Sequence, residues 1–393
     1  MIDDDEEIGV SSDDDASELS GDSTLRDEDF TGLVVAPADW TIGTLNSQIG
    51  KQIDLDPAFQ RRNVWSATAK SSFIESLFLG IPIPQILLSS KPENRNSFIV
   101  LDGKQRLLTI KEFLGGRFQS GRKFKLKELR VLKQLEGKTW EEISEDGEWS
   151  QRLLNETQRT AVIRNWSSEK VLYEIFYRLN SGSVKLSPME LRMSLHPGDF
   201  LKFIISWTEN IGPLHELLGK TSPDNRMNDV ELAVRYLAFS DDRYEYNGDL
   251  KAFLDAVCKD LNTEFTNETD RVKDVVGSLE NMNLAIRFGL ETYQRKEFCR
   301  KFVNGKYDNR FNRAVFDVQV GALAVPELRE AVEKEPKKFK DAFELVSRSS
   351  EFIKSVESTT KTNEATRTRF QMFFNEVGNK YGIELSIPNI SKV

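Results

Sequence analysis

Five consecutive residues, Asp102-Gly103-Lys104-Gln105-Arg106, place a carboxylate, a glycine, two cations and an amide within a few residues of chain. Phe98-Ile99-Val100-Leu101 precede them and read as a buried strand. Leu107, Leu108 and Phe113-Leu114 follow at helical spacing. The five therefore sit at a strand-to-helix junction, where a glycine lets the backbone approach a ligand and the first helical amides face it. Such an end attracts an anion, above all a phosphate. Asp102 suits a metal ion or an oriented water. An ordinary turn, with Asp102 as N-cap and Arg106 on a solvated face, accounts for the same residues.

The flanking elements follow from pattern. Thr44–Ile49 reads as a short helix and Gln52–Leu55 as a strand. Gln60, Arg61 and Arg62 stand between Phe59 and Trp65 on a path that Pro57 turns. Trp65 suits stacking on a base or packing within the domain. Ser66 caps a helix through Leu79 whose Phe73, Ile74, Leu77 and Phe78 face a core. Gln85–Leu88 is the next strand, leading back to a central strand at Phe98. Residues 115–150 are charged and glycine-punctuated, an insertion anchored by Trp140 and Trp149. Thr160–Ile163 is a strand, and Ser167 or Ser168 caps a helix ending at Tyr177-Arg178-Leu179-Asn180-Ser181-Gly182, with Gly182 as C-cap. Ser187-Pro188-Met189-Glu190 opens another helix with a capping box. Periodic segments then recur at 225–240, 249–261, 267–299, 310–323, 327–348 and 363–381, without a repeat period.

Composition narrows the function classes. Of 63 Asp and Glu, thirteen lie in residues 1–29 against one base, Arg26, for a local charge of −12. The remainder holds 53 basic and 50 acidic residues, a net of +3. The acidic arm is too poor in apolar residues to fold, and serves as a solubilising tail or as a mimic of nucleic-acid charge. Cys258 and Cys299 fit a reducing cytoplasm without a disulfide framework. No apolar run has membrane length, so a soluble, cytoplasmic protein is expected. Histidine occurs only at His196 and His215, both expected at surface or cap positions. That scarcity speaks against a His-ligated zinc site, a triad hydrolase or a C-terminal ββα-metal nuclease.

Three stretches together resemble the N-terminal domain of GmrSD-type modification-dependent restriction enzymes, the DGQQR family, which is similar to the ParB/sulfiredoxin fold. Gln60-Arg61 with Val64-Trp65 resembles its first motif, Asp102 to Arg106 its namesake, and Phe176 to Gly182 its third. Further likeness runs through Glu190-Leu191-Arg192, Asp229–Phe239 and Asn312-Arg313-Ala314, to about residue 380. Composition and periodicity give an α+β chain with a disordered acidic tail (1–32), a small α/β domain (33–195) and a larger, irregular helical domain (196–393); the resemblance implies that the 33–195 domain is ParB-like and nucleotide-binding.

By the same resemblance the chain is expected to bind, with Mg, a nucleoside triphosphate, which the family often hydrolyses, and to regulate a partner effector within a bacterial phage-defence or restriction system. Asp102, Gln105 and Arg106 would carry catalysis and Asp102 the Mg. Gln60, Arg61, Gly103, Lys104, Arg178 and Asn180 would close on the nucleotide. Arginine forks match phosphate oxygens, and amides match a base, a ribose or a water. Lys104 stands where the family usually has Gln, which makes binding safer than hydrolysis. The fused enzymes' C-terminal nuclease needs histidines this sequence lacks, so cutting would fall to an effector nuclease on a separate chain or to the N-terminal fold itself. The other readings are a ParB-like DNA-binding or nicking protein and an inactive interaction module; a homo-oligomer fits any of them.

Overall fold

The computed structural model describes residues 25–53, 55, 65–91, 94–179, 187–267, 269–293, 297–357 and 360–391. The chain divides into two units, Ser23–Leu195 and His196–Val393. Residues 1–24 of the expected acidic tail lie outside the described residues, and Asp27–Phe30 form a 3-10 turn in which the Arg26 amide donates to Asp29 at 2.7 Å.

In chain order the first unit contains β1 (Val34–Pro37), β2 (Trp40–Thr41), α1 (Ile42–Gln48), α2 (Ala67–Leu79), β3 (Ile86–Ser90), β4 (Phe98–Asp102) and α3 (Lys104–Leu114). It continues with α4 (Trp140–Ser144), α5 (Gly147–Leu154), β5 (Thr157–Gln158), β6 (Thr160–Arg164), α6 (Glu169–Leu179) and α7 (Pro188–Leu195). Four strands form one mixed sheet in the order β1-β6-β3-β4. β3 runs parallel to β6, while β1–β6 and β3–β4 are antiparallel. β2 and β5 make a separate two-stranded pair.

The expected central strand at Phe98 is thus an edge strand. Its four apolar residues are nevertheless all buried, because helices cover it: α6 and α7 both contact β4. The segment expected as a strand at Gln52–Leu55 keeps only a bridge from Ile53 to Phe98, and Asp54 lies outside the described residues.

Local chemistry explains the helix ends. Ser66 accepts from the Ala69 amide at 3.1 Å, and Gly80 closes α2 in the left-handed region. Ser187 accepts from the Glu190 amide at 3.1 Å while Glu190 accepts from the Ser187 amide at 2.7 Å, so the capping box opens α7. Trp140 and Trp149 pack on the core, tilted against Phe113 and edge-on to Phe78.

Two buried charge arrangements tie the layers together. Lys70 of α2 and Glu112 of α3 form an ion pair, 2% and 6% exposed. Glu75 accepts from the amides of Arg130, Val131 and Leu132 at 2.8–3.0 Å, pinning the 115–150 segment onto α2.

The second unit contains α8 (Asp199–Thr208), α9 (Pro213–Leu217), α10 (Asn228–Ser240), α11 (Leu250–Asn267), α12 (Thr269–Thr292), β7 (Arg300–Val303) and β8 (Lys306–Phe311). There follow α13 (Arg313–Leu323), α14 (Pro326–Lys334), α15 (Pro336–Val346), α16 (Ser350–Glu357) and α17 (Asn363–Tyr381). It is helical apart from the β7–β8 hairpin. The hairpin turns at Asn304-Gly305, both at positive φ (52° and 77°), the Asn-Gly signature of a tight hairpin turn. The expected 327–348 helix is two, broken where Pro336 opens α15.

His196 and His215 are not surface residues; they are 6% and 1% exposed. His215 does act as a cap: its Nδ1 accepts from the Gly212 amide at 3.2 Å, and its Nε2 meets Asp229 at 3.1 Å. Burial follows because that carboxylate sits inside the unit.

Candidate functional site

At the end of β4, Asp102 stands opposite Leu87, and the chain turns through Gly103 into α3. Gly103 has φ +97°, and a Cβ there would lie 2.8 Å from Ile86 Cγ1. Both the dihedral and the close approach of β3 require glycine. Gly103 is itself the N-cap, so no side chain satisfies the first amides of α3. Asp102 is therefore not the N-cap. Its carboxylate Oδ2 instead accepts from Arg106 Nη2 at 2.7 Å.

Arg106 is 8% exposed rather than on a solvated face. Its Nη1 donates to the Pro84 carbonyl, which also accepts from Gln158 Nε2 at 3.1 Å. The guanidinium thus ties the Gly80–Gln85 loop and the strand end to the first turn of α3. Asp102 keeps a second oxygen: its side chain is 32% exposed, and Oδ1 accepts no hydrogen bond among the described residues. That oxygen is the one positioned to ligate a cation.

Lys104 and Gln105 complete the turn. Lys104 is 8% exposed with Nζ 4.0 Å from Glu190 Oε1, so the capping carboxylate of α7 also faces this lysine. Gln105 is half-buried, and its Oε1 is enclosed without a hydrogen-bond donor. A buried acceptor left unpaired costs about 1–3 kcal/mol, so it marks a place where an incoming N–H or O–H is rewarded. The four charged side chains, Asp102, Lys104, Arg106 and Glu190, sum to zero. What remains uncompensated is the amide end of α3, the Asp102 Oδ1 and the Gln105 carbonyl.

Gln60, Arg61 and Asn180 lie outside the described residues. Arg178 is 75% exposed and bonds Glu174 of its own helix at 2.6 Å. Trp65 is partly buried and packs edge-on against Phe73 at 5.6 Å, in keeping with the packing alternative.

The sequence marks Glu190 as a helix cap and as part of the family likeness, but not as the partner of Lys104, and it does not pick out the Pro84 carbonyl or the Lys70–Glu112 pair. Lys70 did leave a signal. It shares one helical face with Ile74 and Leu77, where a cation implies a buried partner.

The family model described as GmrSD restriction endonuclease, N-terminal domain, matches residues 42–197. No curated protein and no solved structure matches the chain. The family match ends near the start of the second unit, so the likeness at Asp229–Phe239 and Asn312–Ala314 lies beyond it. Those residues serve the interior of the helical unit: Arg313 Nε meets Glu231 at 3.1 Å, and its Nη2 donates to Asn228 at 2.8 Å. Over residues 42–197, which include the Gly103-centred turn, the chain is thus similar to the GmrSD restriction endonuclease N-terminal domain.

Proposed function

We propose that this restriction-system component binds a nucleoside triphosphate with Mg at the β4–α3 turn and uses that binding to regulate an effector nuclease on a separate chain. The observation that carries the reading is the Gln105 Oε1 enclosed without a donor beside a helix start that no side chain caps. Phosphate oxygens would take the first amides of α3. Lys104 would exchange its long contact with Glu190 for the phosphate. Asp102 Oδ1 would hold Mg, which binds through one or two carboxylates plus phosphate oxygens and waters. Gln105 Oε1 would accept from a base amine or a ribose hydroxyl. In this arrangement Arg106 is a strut that fixes Asp102, not a phosphate fork.

A second reading, binding without turnover, is favoured by one feature. The Asp102–Arg106 bond occupies two of the three groups that hydrolysis would call on. A ParB-like DNA pocket at the same turn would need cationic side chains free for several phosphates, and Arg106 is already committed.

Calorimetric titration of the full chain with the four common nucleoside triphosphates, with and without Mg, tests the proposal. One of them is expected to bind, more weakly after Gln105→Ala and without Mg-dependence after Asp102→Ala. No heat with any of the four would refute nucleotide binding. Phosphate release with Mg then separates turnover from binding alone.

A further inference from the structure

Away from the β4–α3 turn, the first unit carries its densest charge on residues 117–138. Eight Lys and Arg stand there against Glu128 and Glu136, a net of +6 in 22 residues. All eight bases are exposed. By comparison, residues 30–393 as a whole carry only +3. Among the described residues a single ion pair engages this set, Lys133 with Glu136 at 3.4 Å. Glu142 lies near enough to feel Lys125 and Lys123, but its own oxygens are bound by the amide and hydroxyl of Thr139.

The bases are arranged, not scattered. Lys123, Lys125 and Lys127 alternate with Phe124 and Leu126, which are 0% and 1% exposed. In extended chain, alternate side chains share one face at about 7 Å spacing. The apolar residues hold the row down and leave its ammonium groups outward.

Neighbouring segments bring further bases alongside. Arg117 bridges to Lys123, and the Leu126 amide donates to the Lys138 carbonyl at 3.0 Å. The row is fixed to α2 as well. The Lys127 amide donates to Ser71 at 3.0 Å, and Glu75 takes the amides of Arg130 to Leu132. A like-charged row is costly to hold together, and here buried anchors and backbone bonds hold it.

We infer that this face, centred on Lys123, Lys125 and Lys127, docks the phosphodiester backbone of a nucleic-acid duplex without reading its sequence. A pre-positioned line of cations releases counterions on meeting a backbone, at low ordering cost. The Lys123, Lys125 and Lys127 row offers ammonium groups alone, so its contact positions the duplex and does not select among sequences. The inference does not rest on nucleotide binding at the β4–α3 turn.

Fluorescence anisotropy of a labelled duplex of about 20 base pairs, of arbitrary sequence, tests this on the full chain across a salt series. The wild-type chain is expected to bind at low salt, with affinity falling steeply as salt rises. Replacing Lys123, Lys125 and Lys127 together by Ala is expected to flatten the log–log salt slope by about 2–3, since each phosphate contact contributes about 0.9. The melting temperature should hold, because exposed lysines outside any network carry little stability. Replacing Lys334 and Lys337 of the helical unit, both exposed, is expected to change nothing.

Three outcomes would overturn the inference: no duplex binding at low salt, an unchanged slope in the triple variant, or equal losses in both variants. Carbodiimide cross-links joining the acidic residues of 1–24 to Lys123–Lys138, with no duplex bound, would overturn it too and make the chain's own arm the occupant.

Discussion

At Gly103 two constraints coincide: a φ of +97° and an Ile86 methylene 2.8 Å from where a Cβ would stand. Gly103→Ala is therefore expected to cost about 1–2 kcal/mol for the left-handed backbone alone, with a further loss as Ile86 is pushed aside. Denaturant unfolding would read this as a lowered midpoint at unchanged slope, and an unchanged midpoint would contradict the strain. Glu75 makes a second prediction at this scale. Burial works to raise its carboxyl, but the amides of Leu132, Arg130 and Val131 outweigh that and leave it below its ordinary 4.5. The folded state thus binds this proton less readily than the unfolded state. Its stabilisation is complete above the ordinary carboxyl range and is lost as pH falls through the lowered folded value. Glu75→Gln should cost about 2 kcal/mol at pH 7, and the gap to wild type should close as pH falls below about 4.5. A gap independent of pH would show that charge is not what those amides hold. The five-residue turn was legible because glycine and charged residues follow an apolar run. The fate of Arg106 was not: spaced four residues from Asp102 it reads as a surface helix pair, and its other acceptor, Pro84, comes from 22 residues earlier.

The helices of the first unit were legible through their caps, since Ser66, Ser187 with Glu190, and Gly80 act within a few residues of themselves. Sheet order was not, because the parallel pairing of β3 with β6 joins segments more than 70 residues apart. Hence a strand that reads as central from its apolar run lies at the edge. The β7–β8 hairpin was missed for a different reason. Its strands alternate with charged residues and are half-exposed, so only the Asn304-Gly305 turn announces it. What joins α2 to α3 is the Lys70–Glu112 pair, where burial lowers the Lys70 ammonium against the opposing pull of Glu112. Lys70→Met alone leaves a buried carboxylate and is expected to cost about 3–5 kcal/mol. Lys70→Met with Glu112→Leu should recover most of that loss, because apolar groups of similar volume replace a desolvated pair without an orphan. Thermal melting of the two single variants and the double variant checks this. Additive losses would mean the two side chains act independently.

Each unit combines an apolar core with charge buried between its helices. The first has an aromatic and aliphatic core around Phe78, Phe113 and Phe124. The second buries charge between its helices. Asp317 of α13 takes Arg235 of α10 in a two-point contact at 2.5 and 2.7 Å, and Arg369 of α17 at 3.4 Å. Burial lowers the Arg369 guanidinium to about 10, with Asp317 opposing the shift. Asp317→Asn would leave two buried guanidiniums facing a neutral amide, and about 3–5 kcal/mol should be lost. The sequence offers a way to see where that loss falls. Five of the six tryptophans, Trp40, Trp65, Trp140, Trp149 and Trp166, lie in the first unit and only Trp207 in the second. Tryptophan fluorescence therefore follows mainly the first unit, whereas far-ultraviolet circular dichroism follows mainly the helices of the second. In wild type the two probes are free to coincide. In Asp317→Asn the dichroism midpoint is expected to fall while the fluorescence midpoint and binding at the β4–α3 turn persist, since Asp317 bonds Arg235 and Arg369 within the second unit. Equal shifts in both probes would instead show that the two cores unfold as a single cooperative block.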